Sequence, residues 1–265
     1  MSFMPTTPST PTTGRGKADL QLHSDLGDGL ASPAQILDTA ERVRLDVIAL
    51  TDHDDIRGAF LLRDLAAQRG SPVEIVTGIE VTTRSGHLLA LWIETDIPMF
   101  RPLAETILAI HRAGGLAIVP HPLSYLTFSI GERALRGLAA LGDRGSFIDG
   151  IELRNPSYAG RVRDARAARL NQHVLRVAET GSSDAHHGHL VGTCWTEFPR
   201  SDGADGSDAD ALRAAILART TTAHGRDWTL REHLDGVATQ QWRSMVRDPY
   251  KRARRRLGPK GGKGK

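Results

Sequence analysis

From Ala18 to about Gly225 the chain alternates short apolar runs with stretches of helical periodicity. The runs predict strands at Ala18–Leu22, Asp46–Leu50, Val73–Ile79, His87–Ile93, Leu116–Val119, Phe147–Leu153, Leu175–Thr180 and Thr193–Phe198. Helices lie between most of them. The clearest starts at Ser32: Pro33 takes the first helical position, Gln35 stands three residues past the cap, and Ile36, Leu37, Ala40 and Val43 share one face. A second, about Ile56–Arg69, stops at Gly70, and a third, about Pro102–Ala113, stops at Gly114 and Gly115. Alternation of this kind implies parallel strands joined by helical crossovers, an α/β fold. The acidic, Gly/Ser-rich stretch Ser201–Asp210 reads as a solvated loop before one more helix at about Ala211–Thr220.

At 265 residues, 40% hydrophobic and 25% charged, the chain suits one large domain with a substantial core. Only 5% is aromatic, so that core is aliphatic. The one cysteine, Cys194, excludes an intrachain disulfide framework and a multi-cysteine zinc module. No apolar run reaches membrane-spanning length. Residues 1–17 are Thr/Pro/Ser-rich, lack the apolar stretch of a secretion signal, and are expected to be a disordered tail. Residues 18–225 are expected to form the folded body, and 226–265 a helical, basic extension with a disordered end. A cytoplasmic protein is expected.

The charge is unevenly placed. From Gln240 onward ten Lys and Arg accompany one acid, a net +9 against +3 for the whole chain, which leaves −6 on Met1–Thr239. The basicity belongs to the tail, where Lys251-Arg252-Ala253-Arg254-Arg255-Arg256 favours polyanions. A nucleic acid, an anionic surface and simple solvation of the tail all remain open readings.

The candidate chemistry recurs at strand ends. His23 and Asp28 follow the first strand, Asp52 and His53 the second, and Glu80 ends the third. His87 sits beside the fourth, His121 ends the fifth, and Asp184 and His186 follow another. In parallel α/β folds such positions converge on one face. Five histidines and three carboxylates gathered there repel or pay for burial unless cations organise them. Imidazole mixed with carboxylate suits zinc, manganese or iron, and eight ligands exceed one tetrahedral site. A single Asp-x-His carries little weight; the repetition carries the argument. Asp52 and Asp54 read equally as acceptors orienting His53 and as turn residues. His187 and His189 are expected to face solvent or stand behind the ligands.

These stretches, Asp19–Gly29, Thr51–Asp54, Gly78–Glu80, Gly86–Leu91, Pro120–Pro122 and Ser183–His186, resemble the PHP (polymerase and histidinol phosphatase) family, near the group acting on nucleotides and short RNA ends. The resemblance implies a distorted, TIM-like (β/α)7 barrel with three metals at the C-terminal ends of the strands. It implies His23, Asp28, His53, Glu80, His87, His121, Asp184 and His186 as ligands. By the same resemblance Glu80 falls at the position expected to bridge two metals, and Asp28, His53 and His186 would hold the third. Two positions depart from the pattern: Gln21, a further candidate ligand whose amide oxygen is a poorer donor than imidazole, stands where the family opens with His, and Ser124 stands where nucleotide-processing relatives often carry Arg before Tyr125.

The expected function is a metal-dependent phosphoesterase with two to three divalent ions (Mn, Zn or Fe), cleaving nucleotide or oligonucleotide phosphate esters with metal-activated water. His53, Asp184 and His186 are the candidate catalytic residues; Arg154, Asn155 and Tyr125 are candidate substrate contacts. Two alternatives stay open: a metallohydrolase of a non-phosphate ester or carbamate, and a degraded scaffold that binds nucleic acid through its basic C-terminus.

Overall fold

Alternate residues along the strands divide between two apolar surroundings, and this division shapes the sheet. The computed structural model describes residues 14–200 and 206–235. Its strands are β1 (Arg15–Leu22), β2 (Val47–Leu50), β3 (Glu74–Thr82), β4 (His87–Leu91), β5 (Leu116–Val119), β6 (Gly150–Arg154), β7 (Ala178–Gly181), β8 (Cys194–Pro199) and β9 (Thr222–Gly225). Its helices are α1 (Pro33–Arg42), α2 (Arg57–Arg69), α3 (Leu103–Arg112), α4 (Glu132–Leu141), α5 (Tyr158–Arg161), α6 (Asp164–Leu170) and α7 (Asp208–Ala218). Ala18, Leu20, Val47, Ala49, Val76, Leu89, Leu91, Leu116, Ile118 and Ala178 meet in one cluster, against which α7 packs Leu212 and Ile216. Their sequence neighbours Ile48 and Leu50 pack instead with α1 and α2, and Ile79, Val81, Ala117, Val119 and Ile151 with α3 and α4.

The strands form one nine-stranded sheet in the order β7-β6-β5-β4-β3-β2-β1-β8-β9. It is a nearly closed barrel. Thr196 Oγ1 of β8 accepts from Gly181 N at 3.0 Å and donates to Gly181 O at 2.9 Å, tying one end of the sheet towards the other. Beyond β7, Ala185 bridges Leu22 in parallel, and its carbonyl accepts from His23 N at 3.0 Å. The loop after β7 is thereby set against the end of β1.

The expected all-parallel arrangement needs correction. β4 runs antiparallel to both β3 and β5, and β8 is antiparallel to β1 and β9. The β3–β4 connection is a tight turn in which Gly86 has φ +136° and a Cβ would lie 2.4 Å from the Ser129 carbonyl carbon. Reversal of β4 brings its first residue, His87, to the end of the barrel where the parallel strands finish. β1 starts at Arg15 rather than Ala18, because Arg15, Gly16 and Lys17 pair with Pro199, Phe198 and Glu197. Residues 1–13 of the expected N-terminal tail lie outside the described residues, as do 236–265, the greater part of the basic extension. α7 starts at Asp208, earlier than expected, since Ser207 caps it by accepting from Asp210 N. The Ser32–Gln35 capping box of α1 is formed as the sequence indicates.

His111 on α3 joins two loops. Its Nδ1 lies 2.7 Å from Gly145 O and its Nε2 2.8 Å from Asp149 Oδ2, so both ring nitrogens face acceptors. The Asp149 hydrogen bond, opposed by partial burial and aided by the Gly145 carbonyl, raises the His111 pKa above its ordinary value. Such a group stabilises the fold fully below the unfolded-state pKa of about 6.5, and the contribution is lost as pH rises through the higher folded value. Thermal melts of His111→Gln should therefore show their largest deficit from the parent protein below about pH 6.5, shrinking as the solution becomes alkaline. A deficit unchanged between acid and alkaline buffer would contradict the charged pairing.

Candidate metal centre

A bulge turns β1 at the point where chemistry begins. The register of β1 on β2 shifts between Asp19 and Leu22, so Leu22 joins the outer cluster with Ile48 and Leu50 although Leu20 packs inside. The shift re-aims Gln21 and His23 to the interior side, the kind of redirection bulges provide near active sites. On β3 the interior series Val76, Gly78 ends in Glu80; on β4 it runs from Leu91 through Leu89 to His87. The barrel interior thus passes from apolar to ligand-bearing along its axis. His121 and Asp184 reach it from loops, with positive φ angles of 32° and 50°. Backbone in that region is uncommon for residues with a side chain and tends to be held at functional sites.

Glu80, about 1% exposed, is the hub. His87 Nδ1 lies 2.8 Å and His121 Nε2 3.1 Å from its Oε1. His23 Nε2 lies 3.1 Å, Gln21 Nε2 2.9 Å and His53 Nδ1 3.9 Å from Oε2. Asp184 Oδ1 is 3.3 Å from His23 Nε2. Asp28 faces His186 Nε2 at 3.3 Å, His23 Nδ1 at 3.5 Å and His53 Nε2 at 3.7 Å. The His23 and His186 rings stack with centroids 4.2 Å apart.

Charge decides what this arrangement wants. Burial works against the charged form of Glu80, yet the charges of His53 and His87 and the contacts of His121 and His23 overcome it and hold its pKa well below the ordinary carboxylate range. Asp28 is held low in the same way, against burial, by His186 and His53. Burial likewise disfavours protonated His121, but Glu80 outweighs it and lifts the pKa to about 9. His23 is raised well above its usual value, against burial, by Asp184, Glu80 and Asp28. The carboxylates demand cations, and in the protein alone protons on imidazole supply them.

A metal fits this demand better than protons do. Three sets of donor atoms lie mutually within 4.8 Å: His23, Asp28, His53 and His186; His53, Glu80 and His87; and His23, Glu80 and Asp184. Buried His23 Nδ1 and Nε2, Asp28 Oδ1, His53 Nδ1 and Gln21 Oε1 have no hydrogen-bond partner, although carboxylates stand close to several of them. Donors that crowd together while several of their buried atoms lack hydrogen bonds have the arrangement of ligands for an ion. All eight ligands indicated by sequence are therefore brought to one end of the barrel, with Gln21 beside them. The donor set suits divalent ions.

The supporting carboxylates were not read from the sequence. Asp19, fully buried in β1, accepts from Ser183 N at 2.9 Å, Ser183 Oγ at 2.6 Å and Gly192 N at 2.8 Å, pinning the segment that carries Asp184 and His186. Glu152 in β6 accepts from His121 N at 2.6 Å and from Asn155 Nδ2 at 3.2 Å, and also from Ser182 Oγ. The available signal was a carboxylate inside an apolar strand, in Ala18-Asp19-Leu20 and Ile151-Glu152-Leu153. Asp52 and Asp54 follow neither reading: Asp52 holds Ser24 N and Oγ, and Asp54 holds Thr82 N and Oγ1, each tying the loop after β2 to a neighbouring strand end.

The substrate contacts fare less well. Asn155 is buried, its amide spent on Glu152 and Ser157, so it has no face for a substrate. Arg154 pairs with Asp227 at 2.8 Å and donates to Gly225 O at 3.2 Å. Tyr125 is exposed, with the Arg163 guanidinium 5.1 Å from its ring centre. Ser124, at the departure from the family pattern, donates its hydroxyl to Ala159 O at 2.6 Å.

Comparison with known proteins agrees with this geometry. A family model described as PHP-associated matches residues 164–221. An uncharacterized protein of Methanocaldococcus jannaschii is 38% identical over 128 residues, 44% of this chain and 74% of that protein. A 5'-3' exoribonuclease of Haemophilus influenzae is 30% identical over 106 residues, and the match covers 38% of each chain. Among solved structures, a two-domain protein of Bacteroides vulgatus containing a predicted PHP-like metal-dependent phosphoesterase superposes with a TM-score of 0.63 at 20% identity, covering 85% of this chain and 70% of that one. The chain belongs to the PHP family.

Asp19→Ala removes an acceptor from three buried donors and should cost about 3 kcal/mol of stability. Urea unfolding measures it; a loss under about 1 kcal/mol would show that the segment is held by other contacts.

Proposed function

We propose that this protein is a metal-dependent phosphoesterase acting on nucleotides or the ends of unpaired nucleic acid. The carrying observation is Glu80: one buried carboxylate faces His23, His53, His87 and His121, residues contributed by four separate strands or their loops. A neutral imidazole has one lone pair, so each histidine serves one ion. His23 Nε2 is nearest Glu80 and Asp184, which assigns His23 to them. Asp28, His53 and His186 would then hold a second ion, and Glu80 with His87 and His121 would hold a third. Bound divalent ions supply positive charge to the phosphoryl oxygens and acidify the attacking water.

The chain's own residues orient the substrate. His53, His87 and Asp184 keep 22%, 18% and 15% of their side-chain surface exposed, whereas His23, Glu80 and His121 keep 0%, 1% and 4%. The substrate phosphate therefore meets His53, His87 and Asp184, and the others fix the base of the site. Among the described residues the exposed aromatic rings are Phe100, Tyr125, Phe128 and Tyr158. The Phe128 ring lies edge-on to His87 at 5.3 Å, and the backbone N–H of Phe100 donates to Thr82 O at 2.7 Å. Phe128, one of the few exposed rings, stands beside the metal centre, where a flat base can stack. Arg163 beside Tyr125 offers a phosphate contact in the neighbourhood where Ser124 provides none. The nucleic-acid relative named above supports the same substrate class, as does the basic tail, whose Lys and Arg would concentrate an oligonucleotide near the barrel.

His53→Ala and Asp184→Ala should each reduce kcat by about 10³-fold or more while the melting transition remains cooperative. Near-normal turnover of either variant would remove it from the site. In the same assay, Phe128→Ala should raise KM for a mononucleotide about tenfold, in line with the loss of one stacked base, and leave glycerol phosphate unaffected. Deleting Tyr250–Lys265 should weaken oligonucleotide binding and flatten its salt dependence. Equal losses on all substrates would point to folding rather than recognition.

A further inference from the structure

Among the described residues Gln21 is the one side chain without a titratable group that hydrogen-bonds the hub carboxylate. It is fully buried, and its Nε2 donates to Glu80 Oε2 at 2.9 Å. Its other end, Oε1, is buried with no hydrogen-bond partner. Covalent geometry keeps that oxygen about 2.3 Å from the amide nitrogen, so it also lies within the neighbourhood of Glu80 and His23. A buried amide oxygen without a donor is destabilising, because its lost hydration is not replaced. A protein that tolerates this cost has a use for the oxygen or for the space around it.

The three ion positions differ sharply in chemistry once Gln21 is included. Asp28, His53 and His186 offer two imidazoles to one carboxylate, and Glu80, His87 and His121 offer the same ratio. The third set, His23, Glu80 and Asp184, offers one imidazole to two carboxylates, and the Gln21 amide is the side chain that adjoins it. We propose that Gln21 completes this set as an oxygen donor, so that the position holds a hard, exchangeable ion of the manganese or magnesium type while the other two hold imidazole-preferring ions. The inference rests on the three-ion reading above and deepens it.

The reasoning is one of donor type. Oxygen-rich sets suit manganese, magnesium and calcium, whereas added imidazole shifts preference toward zinc. An amide oxygen is neutral and binds more weakly than imidazole, so the ion held here leaves more readily than its neighbours. Within this set Asp184 alone retains some exposure, while His23, Glu80 and Gln21 are buried.

Metal titration of the stripped full-length protein tests this directly, read by calorimetry, with elemental analysis after gel filtration and the electron-spin signal of bound manganese. The parent protein should bind two equivalents of zinc tightly and a third equivalent of either metal at least about tenfold more weakly. Gln21→Met keeps the volume without the amide and should weaken the third manganese equivalent about tenfold or more, the first two unchanged. Gln21→Glu, a charged oxygen donor of the same shape, should restore or tighten it, and Gln21→His should tighten zinc more than manganese. Circular dichroism confirms that each variant is folded. Gln21→Met with three manganese equivalents at the parent's affinities, or Gln21→His with no gain for zinc, would overturn the role of Gln21 and leave the three-ion site standing. A parent protein that takes up no metal would instead overturn the phosphoesterase reading itself.

Discussion

Glu80 is a carboxylate sealed inside the barrel, and much of the structure answers the problem of keeping it charged there. Moving a lone carboxylate out of water costs several kcal/mol even after relaxation. Here the compensation comes from four histidines, delivered by the end of β1, the loop after β2, the start of β4 and the loop after β5. Removing Glu80 would leave those rings facing one another, and removing them would leave Glu80 unpaired. The centre therefore stands or falls as a unit, which is why cations bound among these groups would stabilise the barrel as well as equip it for chemistry.

The scaffold is built to hold that unit in place. A core of small and branched aliphatic residues fills the barrel below it, and α7 packs Leu212 and Ile216 onto that core. Two buried carboxylates then tie loops to strands: Asp19 grips the segment 183–192, and Glu152 grips the backbone of His121 together with Ser182. Burial pushes Asp19 up to about 6 and Glu152 up to about 8, against the hydrogen bonds each accepts. Both sites thus lie where the cost of desolvation and the value of rigid positioning are closely balanced. Groups that must hold metal ligands to within a fraction of an ångström are better placed on such rigid supports than on free loops.

Much of this was legible in the sequence because strand periodicity is two and ligand residues sit at strand ends. Thr51-Asp52-His53 and Gly78-Ile79-Glu80 announce their positions in that way. His87 lies beside Glu80 for a reason the sequence does not show: it starts its strand, and only the reversal of β4 carries it to that end of the barrel. The bulge in β1 was hidden, since nothing in Leu20-Gln21-Leu22 marks where the register slips. β9 was missed because Thr222–Gly225 carries little apolar signal and is fixed by pairing with β8 rather than by burial. Asn155 was misjudged as a substrate contact because a polar residue after a strand reads alike whether it faces the cleft or braces a turn. Which of the two applies is settled by tertiary contacts, here Glu152 and Ser157.

The central claim is that divalent cations occupy the space among these donors. Anomalous diffraction from crystals of the full chain grown with manganese and zinc tests it most directly. The account predicts difference peaks within about 2.0–2.3 Å of His and carboxylate donor atoms of Glu80, Asp28 and Asp184 and their histidine partners. Peaks confined to the protein surface, with Glu80 still contacting only histidine rings and the Gln21 amide, would contradict it.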